Sequence, residues 1–218
     1  MRPYDIVLWD LDGTIMDSAP GIFLSFEHTF AEMGLNAPSR DELRRYLGPP
    51  LLYTFGELLG FSPTDTERAI SIYREVYHRV GAFTGNPFPG VPNLIAEVRE
   101  NGMFTGLATS KAETASRLVT AHFNLDGLFD VYGCASDDDA TRKTKADVLE
   151  LVLDEFSERG IPNERIVLIG DRIHDVEGAT EFGLDCVLVE WGYGTPDEFA
   201  QATASVGSVN ELRGLLGL

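Results

Sequence analysis

The sequence predicts an α/β protein with a doubly wound parallel sheet as its core and a second, smaller all-α domain. Two observations carry this prediction. Short apolar, β-rich segments alternate with segments whose apolar residues recur at helical spacing, which is typical of βαβ units. One long segment, residues 16–84, breaks the alternation because it shows helical periodicity alone.

The strands of the core are predicted from four strong segments and a weaker one. The strong segments are residues 6–9, 104–108, 166–169 and 186–189, and the weaker one is 131–134. Helical patterns lie between them, for example Leu94-Ile95-x-x-Val98 and the apolar positions of residues 146–156. Because βαβ crossovers are right-handed, this order predicts a parallel, Rossmann-like sheet with helices packed on it.

Residues 16–84 are predicted to form about four helices, since Pro38, the Gly48-Pro49-Pro50 turn and Pro63 interrupt the periodicity. The segment "GNPFPGVP" then leads back, and its final Gly-Val-Pro opens the next core helix. We therefore predict an α/β core domain of residues 1–15 and 88–218, with a helical cap domain of residues 16–87 inserted into it.

Composition narrows the possible partners. A net charge of −18 argues against a nucleic acid polymer, because phosphate backbones require neutralising cations. No apolar run reaches 18 residues and no signal peptide is visible, so we expect a cytoplasmic protein that does not enter a membrane. Cys134 and Cys186 are predicted to be buried thiols. Monomer and dimer both stay open.

Polar residues follow the predicted strands in four places, where parallel sheets bind their ligands. The four segments read Asp10-Leu11-Asp12-Gly13-Thr14, Ala108-Thr109-Ser110-Lys111, Arg142-Lys143-Thr144-Lys145 and Gly170-Asp171-Arg172-Ile173-His174-Asp175. The second is expected to pass directly from its strand into a helix N-terminus. Four carboxylates, two hydroxyls and a lysine at one edge predict a site for a divalent cation and a phosphate, and Mg²⁺ suits such oxygen ligands.

Each segment alone has a structural explanation. Asp-Gly is common turn chemistry, and Thr109-Ser110 resembles a helix cap. Lys145 is harder to explain, because a cation in the first turn of a helix opposes the helix dipole. Lys143 competes with it for the same role. Gly192 and Gly194, in "EWGYGTPDE", are expected to shape a turn at the rim of the site.

The motifs together resemble the haloacid dehalogenase-like hydrolase superfamily, in the branch that contains phosphoglycolate phosphatases. "DLDGT", "LATS", "TRKTKADV" and "GDRIHD" resemble its four motifs in order, and a helical insert after the first motif is similar to one of its cap types. The resemblance implies a phosphoric monoester hydrolase that requires Mg²⁺ and acts on a small phosphorylated metabolite.

Residue roles follow from the same resemblance. It implies that Asp10 is the nucleophile that forms an aspartyl-phosphate and that Asp12 is general acid and then general base. The metal would be held by Asp10, the Asp12 backbone carbonyl, Asp171 and Asp175, and the phosphate by Thr109, Ser110 and Lys145.

The substrate and two other functions stay open at this stage. Phosphoglycolate, a sugar phosphate and a nucleoside monophosphate would each fit, and Arg44 and Arg45 in the predicted cap are candidates for recognising an acidic group. A phosphomutase of the same fold, or a non-catalytic sensor of a phosphorylated ligand, are the alternatives. A sensor would be expected to lack Asp10, Asp12 or Lys145, and none of these is missing.

Overall fold

The computed structural model describes residues 3–138, 141–161 and 164–218. The chain divides into two compact units. The core unit comprises Met1–Asp17 and Pro87–Leu218, and the helical unit comprises Ser18–Asn86.

In the part of the chain that the structure describes, the core unit is built on a sheet of six strands, which are β1 (Ile6–Trp9), β4 (Phe104–Ala112), β5 (Val131–Ala135), β6 (Ile166–Gly170), β7 (Asp185–Val189) and β8 (Ala204–Val206). The strands are parallel, and their order across the sheet is β5-β4-β1-β6-β7-β8. Two-residue strands, β2 (Met16–Asp17) and β3 (Asn86–Pro87), lie where the chain leaves the core unit and returns to it. The predicted α/β fold with a parallel sheet is confirmed.

Helices follow the strands of the core unit. They are α5 (Val91–Glu100), α6 (Glu113–His122), α7 (Lys145–Glu158), α8 (Ile173–Glu181), α9 (Pro196–Phe199) and α10 (Val209–Leu215), with a 3₁₀ turn at Asp126–Leu128. β1 lies at the centre of the sheet and is fully buried, and Val152 and Phe156 of α7 are fully buried in the same core. As the sequence predicts, α5 begins at the Gly-Val-Pro segment and both cysteines are buried thiols.

Two details of the sheet differ from the prediction. β4 continues four residues past Ala108, so the expectation that a helix follows Ala108 directly is wrong; α6 begins at Glu113. β8 was not predicted, because three residues with only Val206 buried carry too little apolar pattern to indicate a strand.

The helical unit has two long helices and several short ones. They are α1 (Ala19–Glu32), α2 (Arg40–Leu43), α3 (Leu51–Tyr53) and α4 (Pro63–Arg79), with 3₁₀ turns at Arg44–Tyr46 and Gly81–Phe83 and a π-helical turn at Thr54–Leu58. Phe26 lies at its centre, with ring centroids 5.5 Å from Phe55 and 5.0 Å from Tyr73. Among the described helices of either unit, none combines the length and apolar character needed to cross a membrane.

Candidate active site

Asp10 directly follows the central strand β1. Its backbone N–H donates to the carbonyl oxygen of Ile169 on β6, which continues the sheet pairing by one residue (2.8 Å). Its side chain is 11% exposed. Burial, opposed by the cation of Lys145 but reinforced by the charge of Asp175, raises the pKa of Asp10 to about 6. A carboxylate in this position is costly unless positive charge is held beside it.

Lys145 supplies positive charge at this position. Its Nζ lies 2.7 Å from Asp10 Oδ1 and 2.8 Å from Asp175 Oδ1, and it also donates to the carbonyl oxygen of Ala108 at 2.7 Å. Burial by itself lowers the pKa of an ammonium group, but the two carboxylates outweigh it and hold the pKa of Lys145 above its ordinary value. Lys143, by contrast, is exposed.

The first turn of α7 positions Lys145. Thr144 is the N-cap, and its hydroxyl accepts a hydrogen bond from the Asp147 N–H while the Asp147 carboxylate accepts from the Thr144 N–H. Such a reciprocal cap fixes the direction in which a helix begins. The contact with two carboxylates explains why a lysine occurs in this first turn despite the unfavourable helix dipole.

Asp171 and Asp175 join Asp10 to form an acidic cluster. One carboxylate oxygen from each of the three lies within 4.8 Å of the others. Asp175 Oδ2 accepts hydrogen bonds from the Asp171 N–H and from the Arg172 N–H, each at 3.1 Å. The Asp175 side chain therefore caps the N-terminus of its own helix, α8. Burial, with the charges of Asp175 and Asp10, raises the pKa of Asp171 well above its ordinary value.

This cluster fits a divalent cation. Asp171 is fully buried, and within residues 3–138, 141–161 and 164–218 nothing donates a hydrogen bond to its Oδ1. A buried carboxylate oxygen without a donor calls for a positive partner. Three carboxylates with no nitrogen or sulfur ligand among them form a hard oxygen set, which suits Mg²⁺.

A tight turn after β1 carries Asp12. The Ile15 and Met16 N–H groups both donate to the Leu11 carbonyl oxygen, and Gly13 has φ +82°. A side chain at Gly13 would meet Asp171, whose Oδ1 would lie 2.8 Å from the added Cβ. Glycine is therefore required here by conformation and by space. Asp12 itself forms an ion pair with Lys111, with Nζ 2.7 Å from Oδ2.

The segment after β7 packs directly against Asp171. The Tyr193 N–H donates to Asp171 Oδ2 at 2.7 Å, and the Tyr193 hydroxyl donates to Asp17 Oδ1 at 3.1 Å. A Cβ on Gly192 would lie 2.5 Å from the Gly13 carbonyl oxygen and 2.6 Å from Asp171 Oδ2. The absence of a side chain at Gly192 thus lets this backbone approach Asp171 closely enough to donate a hydrogen bond to it. The sequence alone does not predict this role.

The remaining predicted site residues are less directly connected to the cluster. Thr109 is buried on β4 and its Oγ1 accepts from the Lys111 N–H at 3.3 Å, and Ser110 is half-buried beside it. Arg44 and Arg45 lie in the helical unit, exposed on the 3₁₀ turn Arg44–Tyr46. The sequence analysis assigns no role to Lys111. Its position directly after Thr109 and Ser110, in a chain with only three lysines, could have indicated that it lies near the site.

Comparison with known proteins agrees with this geometry. Residues 7–189 match the family model described as haloacid dehalogenase-like hydrolase. The chain belongs to this family. The match contains every charged residue of the cluster, and the resemblance that the four motifs predict is confirmed.

Three similar proteins show the range of relatives. The tyrosine-protein kinase PtkA of Mycobacterium tuberculosis is 39% identical over 98% of this chain and 72% of its own length. A 5′-nucleotidase of Pseudomonas aeruginosa is 35% identical over 89% of this chain and 86% of its own. The crystal structure of a predicted phosphatase from Clostridium acetobutylicum superposes with a TM-score of 0.89, at 32% identity over 99% of each chain. The expected enzyme class, a phosphoric monoester hydrolase of this family, is confirmed.

Proposed function

We propose that this protein is a magnesium-dependent phosphatase that hydrolyses a small phosphate monoester through an aspartyl-phosphate on Asp10. The observation that carries the proposal is the buried group of three carboxylates with Lys145 between two of them. This arrangement combines a nucleophile, a fixed cation and a hard oxygen ligand set at one edge of the sheet.

In the first step an Asp10 oxygen attacks the phosphorus atom, and the bond from phosphorus to the ester oxygen breaks. The leaving oxygen takes a proton from Asp12, so a poor leaving group departs as a neutral alcohol. Covalent catalysis of this kind divides one difficult displacement into two easier ones. Lys145 orients the nucleophile through Asp10 Oδ1 and offsets the negative charge that the phosphoryl group brings.

In the second step a water molecule attacks the phosphorus of the aspartyl-phosphate. Asp12, now ionised, takes the proton of that water, and the bond from phosphorus to the Asp10 oxygen breaks. Inorganic phosphate leaves, Asp10 is restored as a carboxylate and Asp12 carries a proton again. Thr109 and Ser110, in the second half of β4, are proposed to hold the oxygens of the transferring group.

Mg²⁺ would be held by Asp10, Asp171 and Asp175, together with the Asp12 backbone carbonyl. When bound, the ion neutralises charge on the phosphoryl oxygens, which phosphoryl transfer requires. Burial first, and then the charges of the neighbouring carboxylates, raise the pKa values of Asp10 and Asp171, and a bound cation would favour the ionised form of both groups.

The test is phosphate release from a panel of phosphoglycolate, sugar phosphates, nucleoside monophosphates and p-nitrophenyl phosphate, with Mg²⁺ and after its removal by EDTA. We expect release that EDTA abolishes and Mg²⁺ restores. Asp10→Asn is expected to abolish turnover without unfolding the protein, as monitored by circular dichroism. Turnover of Asp10→Asn near that of the wild type would contradict the mechanism.

The relative named tyrosine-protein kinase PtkA suggests a second candidate function, phosphoryl transfer to a tyrosine hydroxyl. Incubation with ATP and a tyrosine-containing peptide tests it in parallel. Labelled peptide without phosphate release from any ester of the panel would favour this candidate over hydrolysis.

A further inference from the structure

Lys111 has the geometry of a functional group, although the mechanism above does not use it. Its Nζ lies 2.7 Å from Asp12 Oδ2, and the two side chains are only 10% and 16% exposed. The two acidic groups of the proposed chemistry therefore each contact a lysine: Asp10 contacts Lys145, and Asp12 contacts Lys111.

The backbone of β4 is shaped to place Lys111 there. Thr109 pairs with Cys134, and Ala112 pairs with the next residue of β5, Ala135. Ser110 and Lys111 are therefore two extra residues on β4 at this point of the pairing. An irregularity of this kind changes the direction in which a strand points its side chains. It explains why β4 does not pass directly into a helix after Ala108.

Hydrogen bonds on both sides hold this irregular segment. The Lys111 N–H donates to Thr109 Oγ1, and the Lys111 carbonyl oxygen accepts from the hydroxyl of Ser116 on α6, each at 3.3 Å. Ser116 is itself fully buried. A fixed backbone and a largely buried side chain leave the ammonium group little freedom, so the contact with Asp12 costs little additional ordering.

Lys111 contacts Asp12 through Oδ2, so the proton that Asp12 gives to the leaving oxygen is carried by Oδ1, and solvent screens a contact with so little exposure less than one at the surface. Asp12 follows β1 on a short turn, and the Lys111 contact fixes its carboxylate from a different strand. Proton transfer needs the acid within hydrogen-bond reach of the leaving oxygen, and a small misplacement is costly in rate.

We propose that Lys111 is a positioning residue that holds the Asp12 carboxylate in the orientation for proton transfer to and from the reacting oxygens. This proposal rests on the proposed phosphatase function. This role differs from binding the phosphoryl group. A residue that binds the phosphoryl group would contribute equally to the hydrolysis of every ester, whereas a residue that acts through Asp12 contributes most where the leaving oxygen needs a proton.

The experiment compares kcat/KM for p-nitrophenyl phosphate with that for the alkyl phosphate of the panel that the wild type hydrolyses fastest. Nitrophenolate leaves readily without a proton, whereas an alkoxide does not. The ratio kcat/KM reports only the steps up to departure of the leaving group, so the later attack of water does not affect the comparison. The variants are Lys111→Met, Lys111→Arg, Asp12→Asn and the Lys111→Met/Asp12→Asn pair, with Lys143→Met as the exposed control.

We expect Lys111→Met to lower kcat/KM for the alkyl ester by about 10²-fold and for the nitrophenyl ester by less than about tenfold, the pattern of lost acid catalysis. Asp12→Asn should show the same split. Lys111→Met should add little in the Asp12→Asn background, since residues that act as a unit are not additive. Lys111→Arg keeps the charge but moves it, so it should keep the fold and show a smaller split of the same sign.

Three results would overturn the proposal. They are an equal loss for both esters, a loss additive with that of Asp12→Asn, and unchanged kinetics in Lys111→Met. If Lys111→Met does not fold, Lys111→Arg and the double variant decide by the same criteria. Absence of phosphate release from every ester by the wild type would instead overturn the proposed function, and the Lys111 proposal with it.

Discussion

Lys145 shows at the scale of one residue how structure changes an expectation drawn from sequence. As a cation in the first turn of a helix, it would be expected to cost stability, so its removal should leave the melting temperature steady or raise it. In the structure it is buried between Asp10 and Asp175. Helix dipoles act over one turn and are weak, whereas an uncompensated buried charge costs several kcal/mol, so the buried pairs decide the outcome.

We therefore predict that Lys145→Met destabilises the metal-free protein by about 3–5 kcal/mol at pH 8 and abolishes phosphate release. The loss of stability should shrink as the pH falls. The pKa of Asp10 is already raised to about 6 with Lys145 present, and without that cation it rises further. A carboxyl group whose pKa is raised by folding stabilises the folded state below its unfolded pKa and loses that contribution as the pH rises through the folded value.

Urea unfolding in EDTA between pH 5 and pH 8 measures this effect. Lys143→Met is the control, since Lys143 is exposed two residues away, and it should change stability by less than about 0.5 kcal/mol at either pH. A Lys145→Met deficit that is the same at pH 5 and pH 8 would show that the lost energy is packing rather than charge.

At the scale of elements, the sequence predicts most where apolar pattern dominates. The central strand and the start of α7 are predicted to within a residue, because each is a continuous apolar or periodic segment. The extension of β4 past Ala108 could not be predicted, since it is set by an irregular pairing with β5 between Thr109 and Ala112. The Asp171 support could not be predicted either, because it uses the backbone of Tyr193 from a distant loop.

That loop yields a prediction at the same scale. Gly192→Ala should displace Asp171, since the added Cβ would lie 2.6 Å from Asp171 Oδ2 and 2.5 Å from the Gly13 carbonyl oxygen, neither of which can move without disturbing the site. We expect the free energy of unfolding to fall by about 1–3 kcal/mol. The rise in melting temperature on adding Mg²⁺ should be smaller than that of the wild type.

Gly214→Ala is the matched control. Gly214 lies on α10, and apart from its chain neighbours and the backbone of its own helix no described atom lies within 4 Å of an added Cβ, so alanine there should be neutral or stabilise by up to about 1 kcal/mol. The Mg²⁺-dependent rise in its melting temperature should equal that of the wild type. Equal behaviour of Gly192→Ala and Gly214→Ala would show that the loop does not support the acidic cluster.

At the scale of the whole molecule, the charged residues of the site and the candidate specificity residues belong to different units. Asp10, Asp171, Asp175 and Lys145 all lie in the core unit. Arg44 and Arg45 lie in the helical unit. The fold and the enzyme class could be predicted from the motifs of the core, but the substrate could not, because exposed arginines are equally typical of residues that only increase solubility.

This division predicts that chemistry and specificity can be changed separately. Arg44→Gln/Arg45→Gln should leave kcat/KM for p-nitrophenyl phosphate and the Mg²⁺-dependent rise in melting temperature unchanged, because every residue of the acidic cluster lies in the core unit. If the arginines recognise a second acidic group, KM for phosphoglycolate should rise about tenfold, the equivalent of roughly 1.4 kcal/mol, with kcat little changed, since the lost contact acts on ground state and transition state alike. Arg79→Gln is the control, because Arg79 is exposed in the same unit and forms an ion pair with Glu75, 3.8 Å away on the same helix. Identical kinetics of the double variant and the control on every ester would show that Arg44 and Arg45 serve solubility alone. An equal loss of kcat/KM for p-nitrophenyl phosphate and for phosphoglycolate would show that they act in the chemistry rather than in specificity.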